Sequence, residues 1–568
     1  MRRTLSTNTI LLLIAAFLGV FLIWPLAHVF RRAVLDPQGF TLIYLRSLFT
    51  DPVQLQATAT SFLIAFYVTL GCFVVALPIA WLFARRAFPG KALWTGLLLM
   101  PMILPPFVSA VGMKMMFARC GAFSTLLMNL GLAHGPVDWF GTYPLLGIVI
   151  LEVLHLFPVL YLNLVAALAN IDPSLEEASA NLGASPRRTF LRVTLPLAAP
   201  GIFAGMVLVY VWSFTELGTP LVFGLRRVLP VMIYDNVAEI GTNPRGYAQV
   251  VLVLLVSALG FLVSKRLTQR GRSVATLGRL SVQRAEKPLT PLGTVLTFAG
   301  LALVVLVAVL PHLSVVLLAS SRHWFLTVLP QDFTLHFFNQ ALNSALTRQA
   351  MVNSLALSLG ATVLDLLLGF AIAWLCVRRR VFGSDMLDTL AMLPLAIPGL
   401  VVAFGYLGTF SGAFGGTFAA RLLDPRTNPM FLLAVSYSIR RLPYMVRSSH
   451  AGLEQVSQTY EEAAANLGAS PLRVVWRVTL PLITANLLAG AVLCFSFSMM
   501  EVSDSLILAQ SEGFYPITKA IYALVDSLDN GINTASALGT WAMALLGAGL
   551  LWASALMGKR IGQMFRSG

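Results

Sequence analysis

Apolar runs of about 20 residues alternate along this chain with short polar connections. A hydrocarbon core about 30 Å thick calls for roughly 20 apolar residues in a helix, because each residue rises about 1.5 Å and lipid cannot satisfy an open backbone. About twelve runs meet that requirement. In the first half they centre on residues 10–30, 59–84, 93–117, 144–168, 196–222 and 247–264, and in the second on 291–319, 352–377, 387–410, 430–450, 481–509 and 536–557. The pattern therefore predicts an all-α, polytopic membrane protein. The N-terminal run, at about 21 residues, exceeds the roughly 7 to 15 of a signal-peptide core and reads as an uncleaved first span.

The twelve runs fall into two similar sets of six. "ALPIAWLFARR" matches "GFAIAWLCVRR", pairing Trp81 with Trp374, and "LMPMILPP" matches "MLPLAIPG", pairing Pro101 and Pro105 with Pro394 and Pro398. An even number of spans per set gives both the same orientation, so the sets read as parallel repeats related by an axis near the membrane normal. Residues 1–264 form a first transmembrane half, 265–290 a polar, basic cytoplasmic linker, and 291–568 a second half.

Composition agrees with a membrane location. The chain has 568 residues, 57% of them hydrophobic and 11% charged, with a mean hydropathy of +0.81, outside the range of soluble domains. The formal charge of +15 is no signal for nucleic acid, because Lys and Arg cluster beside apolar spans. Most of them fall on one face: Arg2, Arg3, Arg85, Arg86, Lys91, Arg187, Arg188, Arg192, the linker from Lys265 to Lys287, Arg378 to Arg380, Arg473, Arg477, Lys559, Arg560 and Arg566. By the positive-inside rule both termini are cytoplasmic. Cys72, Cys120, Cys376 and Cys494 are scattered and make no metal-ligand spacing. The chain shows no GxxxxGK[ST] loop, GxSxG or HExxH, so no cofactor, metal site or catalytic residue is expected. Isolated His28, His134 and His312 read as interfacial.

One polar sentence is written twice. "EEASANLGASPRRTFLRVTLPL" runs from Glu176 and "EEAAANLGASPLRVVWRVTLPL" from Glu461, identical at 17 of 22 positions and 285 residues apart. Each lies in the connection between the fourth and fifth spans of its half. Asp172 followed by Pro173 predicts a helix N-terminus, with Ser457 in the equivalent place. Gly183 and Gly468 end the helix, and Pro186 and Pro471 prevent its continuation. The prediction is a short helix on the cytoplasmic face, joined to a span beginning near Leu195-Pro196 or Leu480-Pro481. Small residues Ala178, Ala180, Ala463 and Ala465 suit such a helix to a partner's groove; the alternative is an amphipathic connector resting on lipid headgroups. Two near-identical copies favour a partner with two identical grooves.

The stretch resembles the EAA motif of permease subunits of type I ABC importers, with Val193 and Val478 where that motif usually has Ile. The resemblance implies a coupling helix that docks into a cytoplasmic ABC ATPase homodimer and a periplasmic solute-binding protein that delivers cargo. The docking set it implies is Glu176, Glu177, Ala178 and Gly183, with Glu461, Glu462, Ala463 and Gly468 in the second copy. Glu177 and Glu462 would contact the ATPase, and the glycines would shape the turn. It further implies a bacterial inner-membrane location and ATP hydrolysis by a separate subunit. "ELGTPLVF…VLPVMIY" and "SIRRLPYMVRSSHAGL" are similar to segments of fused ferric-iron permeases, a group close to thiamine and sugar-phosphate permeases; polyamine or another small solute remains an alternative cargo. An ion-coupled secondary carrier is the alternative from a different class.

Ionisable groups inside apolar spans are costly and usually face a pathway or a partner. Glu216 and Glu501 are equivalent at the 285 offset, each in the span after its repeated helix. Arg440 and Arg441 stand in the tenth span, where the first half has His155 and Leu156. These four residues either line the translocation route or are satisfied within the bundle, with Glu152, Asp504 or Asp365 as candidate partners for the arginines.

Overall fold

The structure, a computed structural model, describes residues 2–102, 106–275, 287–379, 382–415, 417–527 and 530–557. The middle of the expected linker, Pro105, Arg380 and the basic residues Lys559, Arg560 and Arg566 lie outside the described residues. Strands among the described residues are two-residue pairs only: Leu35–Asp36 with Gly39–Phe40, and Arg86–Ala87 with Lys287–Pro288. The rest of the regular structure is helical.

Among the described residues eight helices are long and apolar enough to cross a membrane: Thr7–Val34, Pro52–Arg85, Pro144–Ala169, Pro186–Phe214, Arg245–Leu267, Pro291–Ala319, Ala345–Arg379 and Pro471–Met499. Pro52, Pro144 and Pro291 each open a helix, where a missing N–H and a fixed φ cost nothing. Two further spans are helix pairs rather than single rods, bringing the count to as many as ten among the described residues. The expected span at 387–410 is the pair Ser384–Ala396 and Gly399–Phe410, bent by 103°. Pro394 and Pro398 cause the break, since each removes a backbone donor and its ring crowds the preceding turn. The expected span at 430–450 is present as the helix Met430–Gln455, but Arg440, Arg441, Arg447 and Glu454 make it too charged to count as a simple apolar span. The twelfth expected span falls in the helix Gly531–Met557.

The compact units of the structure do not follow the halves of the sequence. One unit comprises residues 1–51, 232–254 and 336–568, and the other 52–231 and 255–335. The boundaries 1–264, 265–290 and 291–568 describe the duplication in sequence, whereas each compact unit takes in the first span of the opposite repeat.

In the first unit, the helix Ala345–Trp374 packs on Met430–Gln455 and Leu480–Met499. The chain's own first span joins this core: Ile14 and Leu18 are buried with Ile372, Leu375, Leu387, Leu442 and Val446. In the second unit, Pro52–Arg85, Pro144–Ala169 and Leu195–Phe214 form the corresponding layer. The span Pro291–Ala319 packs there against Pro106–Met116. Gly112 permits that approach, since a Cβ at this position would lie 2.1 Å from Ser314 Oγ and 2.8 Å from the Pro311 carbonyl oxygen. Small residues at helix crossings let backbones approach where lipid offers no hydrophobic driving force.

Candidate functional site

Both copies of the repeated stretch fold alike. Pro173–Asn181 and Thr459–Asn466 are short helices. The Asp172 carboxylate accepts the Ser174 N–H at 2.9 Å, which holds its pKa below the usual carboxylate range, and the Ser457 hydroxyl accepts the Thr459 N–H at 3.3 Å. Gln458 in place of Pro173 leaves the second helix one position later in starting. At the other end, Gly183 and Gly468 take φ of +80° and +85°. Their N–H groups donate to Ala180 and Ala465, while Ala184 and Ala469 donate to Ser179 and Ala464, at 2.9 to 3.1 Å. This is the Schellman closure that a left-handed glycine allows.

Each helix has one side turned out and one held in. Glu177, Ala178, Gly183, Glu462, Ala463 and Gly468 are exposed, and Leu182 and Leu467, immediately before the glycines, are 88% and 89% exposed. A leucine displayed so fully beside a rigid turn is an apolar knob without a partner in its own chain.

Glu176 and Glu461 point the other way. Glu176 Oε1 pairs with Arg85 Nη2 at 2.5 Å and accepts from Thr194 Oγ1 at 2.8 Å. Glu461 Oε1 pairs with Arg378 Nε at 3.0 Å and accepts from Thr479 Oγ1 at 3.1 Å. The two arginines stand at the ends of the second span of each repeat, and the threonines stand just before the Leu-Pro that opens the fifth. In each repeat one carboxylate therefore ties the short helix to two spans at once. The neighbouring arginines, Arg86 and Arg379, lie over the matched Trp81 and Trp374 rings, at 5.8 and 4.7 Å from the centroids.

The backbone aims the threonines inward. Residues Phe190–Thr194 and Val475–Thr479 are both single π-helical turns, directly ahead of Pro196 and Pro481, and Thr194 and Thr479 are buried within them. Proline has no N–H for the carbonyl four residues earlier, and a wide turn accommodates the lost bond. Two of the five differences between the copies are coupled: Ser179 and Thr189 share a 3.0 Å hydroxyl contact, and their equivalents are Ala464 and Val474.

The charges within the spans form a second centre. Glu501, 4% exposed, is flanked by Arg440 and Arg441; Arg441 Nη2 lies 2.5 Å from Glu501 Oε2, and Arg440 Nη1 contacts Glu501 Oε1 and lies 3.7 Å from Asp504 Oδ2. The Ser436 hydroxyl donates to Asp504 at 2.8 Å, and Arg441 donates to the Phe497 carbonyl at 3.1 Å. Two guanidinium groups and two carboxylates thus balance in the bundle. The cluster also abuts the bent span, since a Cβ on Gly399 would meet Arg440 Nη1 at 2.2 Å and Asp504 Oδ1 at 2.8 Å.

In the first repeat the equivalent positions do different work. Glu216 Oε1 accepts the N–H groups of Gly218 and Thr219 at 3.1 and 3.3 Å and caps a short helix. His155 Nδ1 lies 2.9 Å from the Pro101 carbonyl, and buried Glu152 accepts from Ser213. In the second repeat Asp365 accepts from Ser438 at 2.7 Å. Of the two arginines Arg440 pairs with Asp504, one of the candidate partners; the use of Glu501 by both, expected as an independent residue of the route, is new.

Residues 76–273 and 365–563 each match the family described as the binding-protein-dependent transport system inner membrane component. The chain belongs to that family. It carries two such domains in one polypeptide, and is therefore a fused, multi-pass inner-membrane permease subunit of an ABC importer rather than an enzyme. A putative ferric transport system permease protein of Haemophilus influenzae is 25% identical over 88% of this chain and 78% of its own length. A molybdenum transport system permease protein of Escherichia coli is 30% identical over 40% of this chain and 99% of its own. Among solved structures, a bacterial ABC transporter that imports the acidic polysaccharide alginate matches 46% of this chain and 94% of that one at 15% identity, with a TM-score of 0.34, too low to carry an argument. Family membership removes the ion-coupled carrier as an alternative.

In this permease the docking set separates into two groups. Glu177, Ala178, Gly183, Glu462, Ala463 and Gly468 lie on the exposed side, and Glu176 and Glu461 belong to the internal clasps. The sequence reading missed Arg85, Arg378, Thr194, Thr479 and the two knobs Leu182 and Leu467. All six are matched between the repeats, and that correspondence was the available signal. Replacing Arg440 with Met leaves Glu501 and Asp504 short of a buried counter-charge, at a cost of about 3–5 kcal/mol. The expected outcome is poorly inserted, protease-sensitive protein; a well-folded variant with altered transport alone would instead place Arg440 on the cargo route.

Proposed function

We propose that the permease seats its two exposed short helices in the clefts of a cytoplasmic ATPase dimer, and that a periplasmic binding protein delivers cargo at the opposite face. The observation that carries this reading is the duplication of one construction: an outward knob and turn at Leu182-Gly183 and Leu467-Gly468, backed by an inward clasp at Glu176 and Glu461. A lipid-resting connector has no need of a rigid tie to two spans. A lever does, because closure of the ATPase dimer must reach the membrane through stiff links. ATP would draw the two helices together and tilt the spans that begin at Pro196 and Pro481, and hydrolysis would reset them. With the repeated helices in the cytoplasm, both termini are cytoplasmic as well.

The cargo we assign is ferric iron. The support is the likeness to a ferric permease over most of both chains, whereas the molybdenum likeness covers the length of one repeat. Glu501, Arg440 and Arg441 serve this machine as internal ties that hold the spans around the route, and Glu216 caps the short helix after its span.

Leu182→Asp and Leu467→Asp place a charge where an apolar cleft is expected. Loss of a central knob of this kind costs about 2 kcal/mol or more at an interface, roughly 30-fold in affinity. Affinity-purified permease carrying either change should retain far less ATPase. Undiminished retention by the double variant would contradict the docking face. For cargo, reconstituted complex should hydrolyse ATP faster with an iron-loaded binding protein than with the same protein stripped of iron.

A further inference from the structure

The short helices Leu229–Asp235 and Ile517–Val525 are counterparts in the two repeats. The first amide of each, at Leu229 and Ile517, donates to a buried serine hydroxyl, Ser61 or Ser354, at 2.8 Å in both cases. Those serines are separated by the same interval that relates Trp81 to Trp374. With Leu229 aligned on Ile517, Tyr234 is the counterpart of Tyr522. Their rings meet edge to face with centroids 6.3 Å apart, and both residues fall in the unit made of residues 1–51, 232–254 and 336–568. Matching positions of the two repeats thus touch within this unit.

Lys519 sits at that place. Its side chain is buried, and Nζ donates to the Leu506 carbonyl and to the Tyr234 hydroxyl, each at 3.2 Å. It lies 5.5, 5.6 and 5.8 Å from the ring centroids of Tyr234, Tyr515 and Tyr522. Among the described residues Arg85 and Lys519 are the buried basic residues. Arg85 has Glu176, and the partly buried Arg440 and Arg441 share Glu501. No ion pair of Lys519 with a carboxylate occurs among the described residues. Aromatic faces offset only part of the cost of a buried ammonium. The three tyrosines are themselves partly exposed.

We propose that Lys519 with Tyr234, Tyr515 and Tyr522 forms a cargo-contact site for an oxyanionic group: a phosphate, a carboxylate, a metallate, or such a ligand carried on a hard metal ion. The anion supplies the counter-charge that Lys519 lacks, and the phenol hydroxyls donate hydrogen bonds to the anion's oxygens. The cargo role rests on the permease reading; the site itself does not.

The test is the thermal unfolding midpoint of the detergent-solubilised full chain in orthophosphate, citrate or molybdate, against sodium chloride at equal ionic strength. A ligand that binds the folded state raises the midpoint with concentration. The unmutated chain and Lys519→Arg should show a saturable rise with at least one free oxyanion. Lys519→Met should lose it, and Tyr234→Phe, which keeps the ring and the fold, should need about tenfold more anion for the same rise. A full response in Lys519→Met, or no response in the unmutated chain, overturns the site. A rise given by phosphatidylglycerol and by none of the free oxyanions makes it a lipid site and overturns the cargo role. Failure of the permease reading shows separately, as an unmutated chain that responds to oxyanions yet retains no ATPase, and that result also removes the cargo role.

Discussion

Replacing Gly183 and Gly468 together with valine abolishes cargo-stimulated ATP hydrolysis and leaves the spans inserted. No neighbour lies within 4 Å of a Cβ built at either glycine, so the new side chain meets open space. The cost arises because φ of +80° and +85° is a conformation that an L-residue, and a β-branched one above all, resists. The penalty is on the order of 1–2 kcal/mol at each turn. The chain can relieve it by unwinding the closure that joins Ala184 to Ser179 and Ala469 to Ala464, which swings Leu182 and Leu467 out of position. About tenfold weaker docking at each site compounds to roughly a hundredfold for the pair. Steady-state ATP hydrolysis with and without loaded binding protein reads the loss, and membrane fractionation checks insertion. Full stimulation in the double variant would show that the turn has no part in docking.

The second large effect belongs to the clasps. Glu461→Ala leaves Arg378 buried without its carboxylate, and Glu176→Ala does the same to Arg85, whose side chain is 8% exposed. Removing one partner of a buried pair costs about 3–5 kcal/mol, far more than a short exposed helix can recover from its own hydrogen bonds. The helix should come loose from the spans while its outer face, with Leu467 or Leu182, stays intact. The expected phenotype is uncoupling: ATPase still co-purifies and hydrolyses ATP, but cargo uptake into proteoliposomes falls at least tenfold. Exchanging the partners, Arg378→Glu with Glu461→Arg, should restore part of the uptake. Wild-type uptake by the alanine variants would mean that the clasp transmits nothing.

Much of this architecture was legible in the residues. Apolar run length gave the spans, and the repeated stretch gave two capped helices with glycine turns, because those features are local and each depends on a few adjacent residues. Contacts across 83 and 91 positions were not. Arg85 and Arg378 were read as orientation charges in the "ARR" and "VRR" segments, and nothing nearby says that a glutamate 91 or 83 residues later meets them. The bends at Pro394 and Pro398 were present as prolines, but a proline inside an apolar run is compatible with a kink or a full break, and burial against Arg440 and Asp504 at Gly399 accompanies the break. The placement of the first span beside Ile372 and Leu442 was invisible for a different reason. An apolar helix face specifies that it must be covered and leaves open by which neighbour. Equal numbers of positive and negative groups around Glu501 show why single charges misled as well: each looked unpaired in its own segment until the fold closed the set.

The claim on which the account stands is that two matching knobs are gripped by one twin ATPase. Photo-cross-linking residues placed at Leu182 and at Leu467 in the full chain, expressed with its ATPase and assayed during turnover, test it most directly. The account predicts that each position alone captures one ATPase subunit and that both together capture two. Cross-links to lipid alone, or to the periplasmic binding protein, from either position would contradict it.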